Sequence, residues 1–258
     1  MTLGFIGAGA IASAIVTGLR TSGDPPSRIV LSPRNAATAS DLAARFPEVV
    51  VAESNQGVVD QCDTIVLSIR PNTAESLLQQ LRFKESHVVI SVVATFGLDR
   101  LCRMLAPARN VTRAVPLPSA AQRQSPTALY PADEAPLRLF RLVGPAFTVD
   151  TEEEFNALCT ATAAIASYYA FAESIASWLV QRGVRPVPAR DYVCRMLPSL
   201  EREAAQMPEL GFRALAAAHA TAGGLNEQFL NDLEAHDVFG TINHALDQVM
   251  LRLKATSC

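Results

Sequence analysis

Near the start of the chain, Gly7-Ala8-Gly9-Ala10-Ile11-Ala12 sets two glycines and a small residue at the spacing G-x-G-x-x-[GA]. Each position has a physical task. Gly7 permits a tight turn, Gly9 lets a pyrophosphate approach the backbone, and Ala12 is small enough for a helix to pack close against the preceding strand. The helix that follows offers unpaired N–H groups and partial positive charge to phosphate oxygens. The chemistry implied is the holding of a dinucleotide. The alternative is a glycine-rich strand-to-helix turn in some other α/β protein.

The end of the next strand bears on which dinucleotide. An NAD site carries Asp or Glu there, to accept hydrogen bonds from the ribose 2′-hydroxyl. This chain has Ser32-Pro33-Arg34-Asn35, and the next carboxylate is Asp41. A carboxylate would repel a 2′-phosphate, whereas Arg34 can hold one by charge-assisted hydrogen bonds, with Ser32 and Asn35 donating. The expectation is NADP(H), with NAD(H) use left open and Arg34 as a solvated surface residue the alternative.

Other chemistries find less support. The five cysteines (62, 102, 159, 194 and 258) are scattered and form no C-x-x-C pair. That pattern suits a reducing cytoplasm without disulfides or structural zinc, with Cys258 an ordinary exposed thiol. The four histidines lack ligand spacing, so no metal is expected. No His–carboxylate or Ser–His pair is placed for acid–base work. A formal net charge of −3 argues against a nucleic-acid partner.

These residues need elements to carry them. With 258 residues, 49% of them hydrophobic and 18% charged, the chain can bury a sizeable core. Val/Ile-rich runs at 3–7, 28–32, 49–52, 64–69, 87–93 and 110–115 read as strands. Helical patterns near 10–21, 36–46, 57–61, 72–82 and 97–105 lie between them. That alternation implies a doubly wound, mostly parallel sheet covered on both faces. Short strands near 126–130 and 146–149, beyond a proline-rich stretch at 116–136, would close its edge. From about Thr151 the pattern becomes helical, at 151–182, 190–207, 209–220, 223–235 and 238–254. The expected domains are therefore 1–150, binding NADP, and 151–258, all-helical. One layer of such apolar helices leaves a face to bury, which implies a second copy of the chain. The apolar opening residues lack the basic flank of a secretory signal, since Arg20 follows them. The run at 160–180 is interrupted by Glu173 and reads as a buried helix, so no membrane partner is expected.

Taken in order, these segments resemble the pyrroline-5-carboxylate reductase family. GFIGAGAIASAI is similar to that family's IGxGxMxxAI. Asn55 followed by Asp63–Pro71 (DTIVLSIRP) resembles its N…D-x-(apolar)-x-x-K-P segment, and Ser91–Ala94 its S-x-x-A. Arg113–Ala120 (RAVPLPSA) resembles R-x-M-P-N-T-P-A, and Thr221-Ala222-Gly223-Gly224 its T-S-P-G-G-T-T loop. The resemblance spans nearly the whole chain. It implies a Rossmann-type dinucleotide domain followed by an all-helical dimerisation domain, in a cytoplasmic homodimer or higher homo-oligomer of proline biosynthesis. It implies hydride transfer from NADPH to the C=N bond of a cyclic imino acid, 1-pyrroline-5-carboxylate giving proline. Matching positions imply cofactor roles for Gly7–Ile11, Ser32, Arg34, Asn55 and Ser68-Ile69-Arg70-Pro71, with Ala94 and Thr95 near the nicotinamide. Substrate would lie between the C-terminal strand ends and the partner's loop 221–227.

The chain also departs from the family. Arg70 replaces Lys, Leu117 replaces Asn, and Ala164-Ile165-Ala166-Ser167 stands for G-S-G-P. Leu225 and Asn226 replace the two threonines whose hydroxyls, with the loop amides, hold substrate in the family. Leu225 cannot hold a carboxylate, whereas the Asn226 amide can donate to one, which makes Asn226 the catalytic candidate; capping the helix that starts at Gly223–Gly224 is its alternative role. Ser167 and Tyr168 line the pocket or pack the long helix. His219 donates a proton or is structural. Three readings stay open: the imino-acid reductase, a reductase of another imine or 2-oxo compound in the same mould, and a non-catalytic NADP-binding protein.

Overall fold

Alternating apolar residues in the N-terminal strands sort themselves onto two faces of a sheet, and each face recruits its own helices. The computed structural model describes residues 1–131 and 133–257, so the expectation for Cys258 lies outside the described residues. Eight strands form one sheet: β1 (Thr2–Ile6), β2 (Arg28–Leu31), β3 (Val49–Val51), β4 (Thr64–Leu67), β5 (Val88–Ser91), β6 (Asn110–Val115), β7 (Thr127–Tyr130) and β8 (Ala146–Thr148). Their spatial order is β3-β2-β1-β4-β5-β6-β7-β8. The pairings from β3 through β6 are parallel. β7 joins β6 antiparallel, and β8 adds parallel to β7. This is the doubly wound Rossmann arrangement expected from the alternation, with the two late strands extending one edge.

Leu3, Phe5, Ile29 and Leu31 point to the face covered by α1 (Ala10–Arg20), α2 (Ala36–Arg45) and α6 (Glu134–Arg141). Ile6, Val30, Ile65 and Leu67 point to the other, covered by α3 (Asn55–Gln61), α4 (Pro71–Leu78) and α5 (Leu98–Leu105). Gly7 and Gly18 are among the positions on this frame with no room for a side chain. Gly7 has φ +98°, and a Cβ there would sit 2.1 Å from the Ser68 carbonyl oxygen. Gly18 lets α1 approach the 3-10 turn Pro118–Gln122 so closely that a Cβ would lie 2.0 Å from Ala120 O.

The strand order reverses between β1 and β4. At such a switch point the loops leaving the C-terminal strand ends diverge and open a crevice. Gly7, Ser68 and Val92 begin three of those loops.

After β8 the chain is helical: α7 (Glu152–Ala161), α8 (Ala164–Gln181), α9 (Pro186–Gln206), α10 (Phe212–His219), α11 (Leu225–Ala235) and α12 (Val238–Ser257). The expected long helix 151–182 is interrupted at Thr162–Ala163. α9 begins four residues earlier than expected, because Pro186 suits the first helical position, where no intrahelical N–H bond is lost. α6 is unanticipated. Its Pro136 marks the segment as a loop by composition, yet it falls in the first turn, where proline is tolerated. Two compact units result: Met1–Thr160 with the end of the chain from Met250, and Ala161–Val249. No helix among the described residues is long and apolar enough to cross a membrane.

Candidate active site

In the first unit the glycine turn is braced from below. Ser32, fully buried at the end of β2, accepts a hydrogen bond from Gly7 N–H at 2.8 Å. Asn35 takes a left-handed conformation (φ 65°, ψ 60°) and donates from Nδ2 to the Ala8 carbonyl at 2.9 Å. These two contacts tie the segment 32–35 to the turn, so Arg34 is carried on a fixed backbone beside it. Gly9 is the N-cap of α1, and a Cβ built there meets nothing within 4 Å. The space over the helix N-terminus is therefore open, and the first N–H groups of α1 face it.

Gly7, Ala8, Gly9, Arg34, Asn35, Ser68, Ile69 and Arg70 line one groove of about 380 Å³. Its lining holds two arginines and no acidic side chain. Positive charge, a helix N-terminus and a turn without side chains form a donor set for a phosphorylated nucleotide, and the residues present fit such a group. Thr73 also lines the groove. Sequence reasoning missed it, although its place in the first turn of α4, after Pro71 at the helix start, was the available signal.

The remaining cofactor candidates are not part of that lining, and Pro71 opens α4 beside it in the chain. Ala10 and Ile11 open α1. Asn55 follows the Ser54 N-cap of α3, and its buried Oδ1 has no hydrogen-bond partner. Ala94 and Thr95 lie in the loop after β5, where Thr95 Oγ1 is likewise buried without a partner. A buried polar atom left unpaired costs about 1–3 kcal/mol, so one at the start of α3 and one in the loop after β5 are consistent with a ligand that pairs with them.

In the second unit, Asn226 lines a separate cavity of about 460 Å³ with Glu203, His219, Phe212 and Phe229. Ser167, Gly223, Gly224 and Leu225 are not part of that lining. Asn226 Nδ2 donates to the His219 carbonyl at 3.1 Å. It thus satisfies the end of α10, while Gly224 occupies the N-cap of α11. The alternative role of Asn226 as a cap gives way to this bridge between two helices, because α11 begins at Leu225 and puts Asn226 inside its first turn. His219 Nε2 lies 3.2 Å from Glu203 Oε1. Gly223 N–H donates to Glu227 Oε2 at 2.7 Å, so a carboxylate already engages one loop amide. Ser167 and Tyr168 are exposed on α8, which buries none of its side chains within the chain. Among the described residues, no group of three or more His, Cys, Asp or Glu is placed to hold a metal ion.

Residues 2–95 match a family model described as NADP oxidoreductase coenzyme F420-dependent. The pyrroline-5-carboxylate reductase of Pseudomonas aeruginosa is 28% identical over 65% of this chain and 64% of its own length, so that match spans less than two thirds of the relative. The enzyme of the same name from Vibrio alginolyticus is 24% identical over 97% of this chain and 95% of its own. Among solved structures, 1-pyrroline-5-carboxylate reductase from Streptococcus pyogenes superposes with a TM-score of 0.84 at 25% identity, covering 99% of this chain and 98% of that one. A Rossmann domain with a nucleotide groove at its switch point, followed by a helical unit, defines a dinucleotide-dependent oxidoreductase. Within that class, the chain is similar over nearly its whole length to pyrroline-5-carboxylate reductases.

Proposed function

We propose that this protein reduces the C=N bond of 1-pyrroline-5-carboxylate to give proline, with NADPH as electron donor, as a cytoplasmic homodimer in proline biosynthesis. The observation that carries the reading is the groove at the switch point. It is floored by a glycine that tolerates no Cβ, and it is lined by Arg34 and Arg70 without a carboxylate. The names borne by the similar proteins supply the substrate.

In this reading Gly7–Ile11 hold the pyrophosphate and Arg34 holds the 2′-phosphate, with Asn35 beside it and Ser32 bracing both. Asn55 and Ser68–Pro71 complete the nucleotide contacts, and Ala94 and Thr95 border the nicotinamide. NADPH, when bound, supplies a hydride from its nicotinamide C4. An imine that binds protonated already carries the charge that makes it electrophilic, so the protein has to orient it, exclude water and hold its carboxylate. Asn226 spends one amide N–H on His219, leaving the other for the substrate's carboxylate. Ser167, Gly223, Gly224 and Leu225 complete the substrate side. The first unit would serve the cofactor, and the helices from about residue 151 would serve substrate and dimerisation.

One observation favours a second substrate. Leu225 is 85% exposed where the family pattern has a hydroxyl, and Glu227 brings negative charge to the same loop. Both features disfavour a substrate carboxylate. The test is loss of nicotinamide absorbance when purified protein and NADPH meet 1-pyrroline-5-carboxylate, uncharged cyclic imines and 2-oxo compounds. Turnover with the imino acid is expected. Turnover with uncharged imines or 2-oxo compounds alone would move the assignment to the second reading, and NADPH binding without any turnover would leave a nucleotide-binding protein.

A further inference from the structure

Arg113, near the end of β6, is among the largest fully buried side chains of the protein, only 1% exposed. Its guanidinium is divided among three partners. Nη1 donates to Glu152 Oε1 at 2.6 Å and to Asn156 Oδ1 at 3.0 Å, and Nη2 donates to the Ala94 carbonyl at 3.0 Å. The Phe155 ring lies under it, 4.4 Å from ring centre to Cζ. Glu152 Oε1 accepts a second bond, from Leu98 N–H at 2.7 Å.

The loop between β5 and α5 is therefore gripped at both ends. Its Ala94 carbonyl is fixed by Arg113 and its Leu98 amide by Glu152, which Arg113 in turn holds. Between the two grips lies Thr95, whose buried hydroxyl is without a partner. A buried ion pair is weak evidence of stabilisation, because desolvating both charges offsets their attraction. Burial indeed pulls the Arg113 pKa down, against the opposing pull of Glu152. What a rigid fork bound to three acceptors supplies is geometry.

We propose that Arg113 and Glu152 are positioning residues that clamp Ala94–Leu98 and so present the Thr95 hydroxyl to the nicotinamide half of the bound nucleotide. The inference rests on the NADPH reading above and assigns a task to residues that touch neither nucleotide nor substrate. Asn156 and Phe155 hold the clamp in register from α7, Asn156 lying 43 residues along the chain from Arg113.

The test compares two ligands in the wild-type protein, Arg113→Lys and Glu152→Gln. Calorimetric titration with NADPH reads both halves of the site. Titration with adenosine 2′,5′-bisphosphate, which lacks the nicotinamide, reads the adenosine half alone. Arg113→Lys keeps a charge and loses the fork. Glu152→Gln loses the charge and keeps an oxygen for Leu98. Both variants are expected to bind the bisphosphate as the wild type does, and to lose the extra affinity that NADPH has over it. Single-turnover hydride transfer should slow by about a hundredfold, the scale of an ångström's misplacement. Equal losses for both ligands would make the cluster merely structural and overturn the proposal, as would unchanged NADPH affinity and rate. If Arg113→Lys fails to fold, Glu152→Gln decides alone. A wild-type protein that binds no bisphosphate would remove the NADPH reading, and this inference with it.

Discussion

Arg34 is exposed at the groove, next to a turn tied down by Ser32 and Asn35, and forms no ion pair among the described residues. A guanidinium so placed has its charge free for an anion. Hydrogen bonds to charged groups contribute about 1.5–3 kcal/mol, so Arg34→Ala should raise the Kd for NADPH roughly ten- to a hundredfold. The Kd for NADH should barely move, and titration with both nucleotides checks it. Equal losses would remove the 2′-phosphate assignment. Residues of this kind are legible in a sequence because type and local spacing define them: Gly7, Gly9 and Arg34 sit within one short βαβ unit. The partners of Arg113 are not. They come from segments far along the chain, and nothing in the spacing of Glu152 or Asn156 shows that they meet a buried cation. Thr95 and Asn55 carried a resemblance, but their lack of partners shows only once burial is known.

At the scale of the element, α1 does more than start at the glycine turn. Its Gly18 faces the Ala120 carbonyl, and the approach fixes the helix against the 3-10 turn. Replacing a helical glycine by alanine normally gains about 0.5–1 kcal/mol. Here the added methyl meets backbone that cannot swing aside, and overpacking costs about 1–3 kcal/mol. Gly18→Ala should therefore destabilise the fold, seen as a lower urea midpoint with an unchanged slope. A rise in midpoint would mean that the turn yields. All eight strands were legible, six of them because continuous Val/Ile runs mark a sheet buried on both faces and two as short edge strands beyond the proline-rich stretch. The break at Thr162–Ala163 was hidden because the apolar periodicity runs on either side of it. α6 was hidden because composition weighs a proline without knowing its place in the turn.

At the scale of the molecule, the helical unit exposes Trp178 (53%), Phe212 (84%) and Phe229, among other large apolar side chains. Such a surface is more than a soluble monomer usually leaves to water, and we expect a second copy of the chain to cover it. Light scattering should report a dimer. Phe212→Asp with Leu225→Asp should shift it toward monomer while leaving the binding of adenosine 2′,5′-bisphosphate intact. A wild-type monomer at micromolar concentration would sink the expectation. The excess of apolar helix was legible in the sequence; which side chains remain uncovered was not, since that depends on how the helices pack.

The last turns of α12 return to the first unit. Leu253 packs with Phe155, Lys254 pairs with Glu153 at 2.6 Å, and Arg100 donates to the Thr256 carbonyl at 3.2 Å. The helical segment is thus an insertion spliced into its host, anchored at two seams. Cutting the gene at the first seam would not yield a free-standing module, because the excised half would keep Phe155 and lose the leucine that shelters it. Any swap of this helical segment between relatives has to carry the tail across with the host, or the graft opens a wound beside the very helix that steadies Arg113.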